Sequence, residues 1–133
     1  MGPLTAFVDT SALYALLAAD DANHAAATHT FAALVEEELV SHSYVVLESA
    51  ALVQKRLGME ATRTLLDDLV PSFDVEWVDE ALHRAARTAL LTAGRRDISL
   101  VDWTSFEQMR QRGIPNAFAY DRHFAAQGFE LIG

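Results

Sequence analysis

Four carboxylates fall where an ionised side chain is costly unless something meets it. Asp9 closes the apolar run at residues 4–8, and Asp121 closes another at 117–120. Glu48 has Tyr44, Val45, Ala51 and Leu52 three and four positions away, so on a helix it shares an apolar face. Asp102 ends Ser99-Leu100-Val101-Asp102, which fits a helix-opening capping box as well as it fits a site. Taken singly, each acid has an ordinary reading: a cap for Asp9, Asp102 and Asp121, and a salt bridge to an arginine for Glu48. Taken together, the four form an oxygen-only cage of the kind that holds hard cations such as Mg²⁺ or Mn²⁺ along with water. Four anions in one cleft otherwise repel, and that repulsion raises their pKa values. The chemistry of such a cage is metal-assisted phosphodiester hydrolysis. One ion lowers the pKa of an attacking water, and a second stabilises the departing oxygen.

The hydroxyls beside these acids have two readings. Thr10 and Ser11 follow Asp9, and Ser99 precedes Asp102. Each either positions a water or phosphate oxygen or caps the helix that begins there. Arg122, next to Asp121, is placed to meet a phosphate. Among the histidines, His24 and His29 are five apart and do not share a face as a zinc pair would. His42 lies in a strand and His83 on a helix, both structural, while His123 follows the Asp121 corner and is the one set near a substrate. No nucleophilic-serine motif or glycine-rich phosphate loop competes. A phosphatase built on Asp9 would want a second Asp where Ser11 stands and a late Lys, whereas Lys55 is the only lysine.

The elements that must position these residues follow from periodicity and punctuation. The first strand, 4–8, runs into an apolar helix from near Ala12 to Asp20, capped by Thr10 or Ser11. That helix is either buried or meets a partner. Residues 24–38 form a second helix and 39–43 a short strand. A third helix, 44–57, is capped by Ser43 and closed by Gly58; a fourth spans 60–69 up to Pro71. Alternating residues 73–78 read as a strand at a sheet edge. Helices at 79–93 and from Ser99 or Leu100 to Arg112 follow. The chain ends with a strand at 117–120, a short helical turn at 122–127 and a strand at 129–132. The order predicts an α/β sandwich of three layers, with a mainly parallel sheet between helices.

At 133 residues the chain is long enough for one domain, 1–133, with a sizeable core. It has no Cys, which excludes disulfides, thiolate metal sites and a cysteine nucleophile. No apolar run reaches spanning length and no signal peptide is evident, so a cytoplasmic chain without a membrane partner is expected. The net charge of −9 argues against nucleic acid only if every acid is surface. Basic pairs still gather, among them Arg95-Arg96 near Asp102 and Arg122 beside Asp121.

These residues carry a resemblance. Phe7-Val8-Asp9-Thr10-Ser11-Ala12-Leu13, the inward Glu48, Ser99-Leu100-Val101-Asp102 with Ser105-Phe106, and Asp121-Arg122-His123-Phe124 followed by Gly128-Phe129 resemble the PIN-domain ribonucleases. Within that group the chain is similar, over nearly its whole length, to the VapC-type toxins of bacterial and archaeal toxin–antitoxin pairs. The family's four acids fall on Asp9, Glu48, Asp102 and Asp121. The resemblance implies a parallel five-stranded sheet, Mg²⁺- or Mn²⁺-dependent cleavage of RNA, a homodimer, and inhibition by a small antitoxin protein. Many members have Thr just before the third acid, where this chain has Val101; the change removes a water or phosphate contact but no metal ligand. A PIN-like scaffold that binds RNA or a partner without cutting is the alternative, and the intact acid set argues against it. The chain is 51% hydrophobic, and the apolar first three helices predict a dimer and an antitoxin groove that includes Leu13 and Leu16.

Overall fold

A computed structural model describes residues 4–133. Strand β1 (Thr5–Val8) lies at the centre of the sheet, with Ala6, Phe7 and Val8 fully buried. An apolar run without polar alternation suits that position, because a central parallel strand is covered on both faces. Its neighbours are β2 (Glu38–His42) and β4 (Asn116–Phe118), flanked in turn by β3 (Asp74–Glu76) and β5 (Glu130–Ile132). The strand order is β3-β2-β1-β4-β5, and every pairing is parallel.

Parallel neighbours require crossover connections. Helices α1 (Thr10–Leu17) and α2 (His24–Ala33) join β1 to β2, and α3 (Ser43–Leu57) with α4 (Met59–Thr64) joins β2 to β3. Then α5 (Glu80–Ala93) and α6 (Leu100–Arg112) carry the chain from the β3 edge back past β1 to β4, and α7 (His123–Ala126) leads to β5. Right-handed crossovers put α1–α4 on one face and α5–α7 on the other. The packing of α1 on α2 and α3, and of α5 on α6, agrees with that arrangement. The winding reverses beside β1, so a crevice opens at the carboxyl ends of β1 and β4, where open α/β sheets bind their ligands.

An aromatic seam joins β1 to α6 and α7. Phe7 stacks on Phe124 with ring centres 5.7 Å apart, and Phe106 meets Phe124 edge-on at 5.0 Å. All three rings are fully buried, each contributing roughly 2–3 kcal/mol by burial alone. They pin α6 and α7 to the central strand, so the acids carried by those segments sit on rigid ground.

Several boundaries differ from the sequence reading. The cap of α1 is Asp9, whose side chain accepts the Ser11 N–H; neither Thr10 nor Ser11 serves, and the helix spans Thr10–Leu17. Helix α2 stops at Ala33 rather than running to residue 38, because Glu38 is already paired with Thr5 in the β2–β1 ladder. His42 caps α3 in place of Ser43: its Nδ1 accepts the Val45 N–H at 3.3 Å, while the Ser43 hydroxyl accepts from Val78 N at 2.9 Å. The fourth helix continues beyond α4 through a widened turn, Leu65–Leu69, and tightens into a 3₁₀ turn, Val70–Ser72, around Pro71. Helix α1 is buried, with Leu13 fully enclosed in the core, so Leu13 cannot line a partner groove. Among the described residues no helix is long and apolar enough to cross a membrane.

Candidate metal centre

Asp9 is the first residue past β1, and its N–H donates to Phe118 O at 3.1 Å, so the β1–β4 ladder fixes its backbone. Its carboxylate accepts from the Ser11 N–H at 3.1 Å and from the Ser11 hydroxyl at 2.6 Å. That hydroxyl in turn accepts the Tyr120 N–H at 2.9 Å. Ser11 therefore ties the acid after β1 to the segment that delivers Asp121. Asp9 is only 4% exposed. Burial pushes its carboxyl up to about 7; the two Ser11 hydrogen bonds pull it down, and the charges of Asp102 and Asp121 push it up again.

Glu48 comes from the first half of α3 and is half-buried. Burial raises its pKa, the nearby Thr10 hydroxyl opposes that, and the charges of Asp102 and Asp121 add to it. Thr10 Oγ1 also accepts from the Ser49 hydroxyl at 3.2 Å, which joins the start of α1 to α3 beside Glu48. An apolar residue in place of Thr10 would take this partner from the fully buried Ser49 hydroxyl.

Asp102 is a cap, and its carboxylate also lies beside Asp121. Its carboxylate accepts the Ser99 N–H at 3.0 Å while Ser99 Oγ accepts the Asp102 N–H at 3.1 Å, a complete capping box. The same carboxylate reaches the crevice, where burial raises its pKa against the Ser99 N–H, with Asp121 raising it further. Asp121 follows β4 and accepts the His123 N–H at 2.9 Å. Ligand atoms of Asp102, Asp121 and His123 all lie within 4.8 Å of one another.

The predicted acids thus gather from four segments: Asp102 and Asp121 in direct proximity, with Asp9 and Glu48 feeling the charge of both. For Asp9, Glu48 and Asp102 burial is the main cause of the raised pKa, and mutual repulsion comes second. Arg122, next to Asp121, is exposed. Asp97 was not anticipated. Arg95 clasps it in two hydrogen bonds of 3.0 and 2.6 Å, and His123 Nε2 lies 3.5 Å from Asp97 Oδ2. Its only sequence signal is its place two residues before the Ser99 cap, in a loop without periodicity.

A second support lies beneath α6. Burial drops His42 to about 3, so the ring is neutral. Because Nδ1 accepts from Val45 N, the proton sits on Nε2 and is donated to Ser105 Oγ at 2.8 Å. Ser105 then donates to Val101 O at 3.0 Å. The end of β2 is thereby bonded to the helical turn that carries Asp102.

A central parallel sheet with carboxylates at its switch point, offering oxygen donors and one buried imidazole nitrogen, defines the class. Residues 6–130 match the PIN domain model, and the chain belongs to that family. It is 37% identical over 124 residues to the 23S rRNA-specific endonuclease VapC20 of Mycobacterium tuberculosis, covering 92% of this chain and 94% of that protein. The crystal structure of VapC20, described as a sarcin–ricin loop cleaving toxin, matches with a TM-score of 0.84 at 35% identity, over 92% of this chain and 95% of that one. FitAcB from Neisseria gonorrhoeae shares the fold at a TM-score of 0.71 and 17% identity, over 98% and 97% of the two chains. So does VapBC2 from Rickettsia felis bound to promoter DNA, at 0.71 and 14%, over 96% and 97%.

Proposed function

We propose that this protein is a divalent-metal-dependent endoribonuclease, the toxin of a type II toxin–antitoxin pair, whose substrate is a structured loop of 23S rRNA. One observation carries the reading: four acids from separate segments converge at the sheet's switch point, three of them with raised pKa values that a bound cation would reverse. The substrate class is supported by 37% identity to a 23S rRNA-specific endonuclease across almost the whole chain.

In this reading Asp9, Glu48, Asp102 and Asp121 hold Mg²⁺ or Mn²⁺. The donor set fits: carboxylate oxygens that are half or more buried, backed by hydrogen bonds from Ser11, Thr10 and Ser99. A bound ion would supply Lewis-acid chemistry there, making a water more acidic and offsetting phosphate charge. Ser11 orients Asp9, Ser99 orients Asp102, and Thr10 steadies Glu48. Arg122, exposed next to Asp121, attracts the phosphate backbone.

A toxin of this kind acts in the cytoplasm and requires an antitoxin and, in our reading, a second copy of itself. Two apolar grooves suit these roles. One, of about 380 Å³, lies on α3 between Tyr44, Val46, Leu47, Ala50 and Trp77, with Leu47 and Trp77 largely exposed. The other, about 320 Å³, is lined by Phe31, Leu34, Val35 and Leu39. Sedimentation should show a dimer that Leu47→Glu or Trp77→Glu weakens; a wild-type monomer at micromolar concentration would remove the dimer from the proposal.

The decisive experiment offers the protein a 23S rRNA loop fragment, single-stranded DNA and a small phosphomonoester, each with Mg²⁺, Mn²⁺ or EDTA. Metal-dependent cleavage of the RNA alone is expected. Binding without cleavage in every condition would leave a scaffold, and hydrolysis of the phosphomonoester would make the enzyme a phosphatase.

A further inference from the structure

We propose that His123 Nδ1 is a direct ligand of the divalent ion held by Asp102 and Asp121, and that this nitrogen biases the site towards Mn²⁺ over Mg²⁺. The inference rests on the metal-dependent reading above, and it concerns a residue outside the four acids.

Two features of the ring point this way. His123 Nδ1 is buried and makes no hydrogen bond, although Asp121 Oδ1 is only 2.9 Å away. At that separation, an imidazole lone pair and a carboxylate oxygen repel unless a proton or a cation lies between them, and the ring geometry rules out an aligned N–H···O bond. A spacing near 3 Å is what two adjacent ligands of an octahedral ion show when each bond is about 2.1 Å. The far side of the ring is arranged to match. Nε2 is 3.5 Å from Asp97 Oδ2, and Arg95 grips Asp97 at both oxygens. A carboxylate on the far side of a histidine favours the proton on the outer nitrogen and leaves the inner one free to bind metal, and Asp97 stands on that side of His123. The backbone contributes as well: the His123 N–H donates to Asp121 Oδ1, so one turn sets the positions of both donors.

The consequence for the metal follows from donor chemistry. Mg²⁺ favours oxygen ligands and gives up water reluctantly, whereas imidazole nitrogen suits the first-row transition ions. The four carboxylates alone would discriminate weakly between Mg²⁺ and Mn²⁺. Adding one nitrogen tips the balance.

The test titrates metal-free protein with Mn²⁺ and records electron spin-echo modulation, with no substrate present. A directly bound ¹⁴N should appear in the wild type, change to the ¹⁵N pattern when the histidines are ¹⁵N-labelled, and vanish in His123→Asn. That variant places an oxygen near the Nδ1 position, so it should keep Mg²⁺ binding while its Mn²⁺-to-Mg²⁺ affinity ratio falls about tenfold. Asp97→Asn should lower Mn²⁺ affinity about tenfold, as loss of a ligand's carboxylate support does elsewhere. Bound Mn²⁺ without nitrogen coupling, or coupling that survives in His123→Asn, overturns the proposal and leaves the nuclease reading standing. Failure of Mn²⁺ to bind at all overturns both. If the variant is poorly folded, the labelled wild-type spectra still show whether a histidine binds the ion, and His123 is the one histidine grouped with these acids among the described residues.

Discussion

The two flanks of the acid cluster are built on different physics. On the β1–α3 flank, Asp9 is almost wholly buried, its hydrogen bonds come from Ser11 next door, and desolvation dominates its titration. On the α6–β4 flank, the acids are half-buried and hydrogen-bonded to backbone N–H groups, and behind them the exposed Arg95 holds the Asp97 carboxyl below its usual range. Asp9 makes the first flank the drier and more electrostatically stressed; the second is more closely specified in geometry, although burial raises Asp102 as well. A cation would relieve the first and be oriented by the second.

The largest expected effect tests whether both flanks belong to one site. Asp9→Asn and Asp121→Asn should each lower metal-dependent RNA cleavage by about 100-fold or more, since metal-borne charge stabilisation is worth several kcal/mol. Glu48→Gln and Asp102→Asn should follow. Near-normal turnover of both dry-flank variants at saturating Mg²⁺ would confine the chemistry to Asp102 and Asp121.

The next effect separates the flanks by pH. Asp9 titrates near 7 when folded and near 3.8 when unfolded, so the folded state takes up a proton first as pH falls. Its contribution is therefore fully favourable below about 4 and is lost as pH rises through 7, on the order of 4 kcal/mol at most. In EDTA, Asp9→Asn should melt higher than the wild type at pH 8, with the gap closing towards pH 4. Mg²⁺ should raise the melting temperature of the wild type far more than that of the variant. An acid that was only a helix cap would leave the melting temperature at pH 8 nearly unchanged, because Asn caps a helix about as well as Asp.

How much of this was legible depends on how local each cause is. The strand-end acids could be read because an apolar run stopping at an Asp is visible within a few residues, and Glu48 because helical spacing set it among Val45, Ala51 and Leu52. The end of α2 was misplaced because Glu36-Glu37-Glu38 looks like a solvated helix end, whereas Glu38 is claimed by Thr5, far away in the chain. The caps were misassigned where a less common capper won: His42 displaced Ser43 because burial keeps its ring neutral and able to accept. Leu13 looked like a partner contact because a buried helix and a docking helix share one composition. Asp97 and His123 meet only after α6 and β4 have folded, and nothing in their spacing announces it.

A smaller pair of effects tests the wiring. Ser11→Ala removes the hydroxyl that joins Asp9 to the Tyr120 N–H, and should cost about 1–2 kcal/mol. It should also move the Asp9 transition to higher pH, because a hydrogen bond favouring the charged form is gone. Ser99→Ala removes the other cap hydroxyl and should cost about 1 kcal/mol, moving Asp102 up while leaving the Asp9 midpoint in place. Equal shifts of the Asp9 transition in the two variants would mean that the flanks are not electrically distinct.

The smallest effect concerns how a chain of net charge −9 attracts RNA. The attraction must come from cations close to the crevice, and the candidates differ in freedom. Arg95 is engaged by Asp97, whereas Arg96 and Arg122 form no ion pair among the described residues. A cation already neutralised by a carboxylate releases fewer counterions from RNA when it docks, so it adds less to the salt dependence. Arg96→Gln and Arg122→Gln should each reduce the slope of log affinity against log salt by about 0.7, the value for one phosphate contact on a single strand. Arg95→Gln should change that slope less, while reducing Mn²⁺ affinity through Asp97 and His123. Binding measured from 50 to 300 mM salt with Ca²⁺ in place of the catalytic ion gives the three slopes. A larger slope change for Arg95→Gln than for the other two would place the phosphate path along the α5–α6 loop and break the division between a cation that serves the metal and cations that serve the RNA.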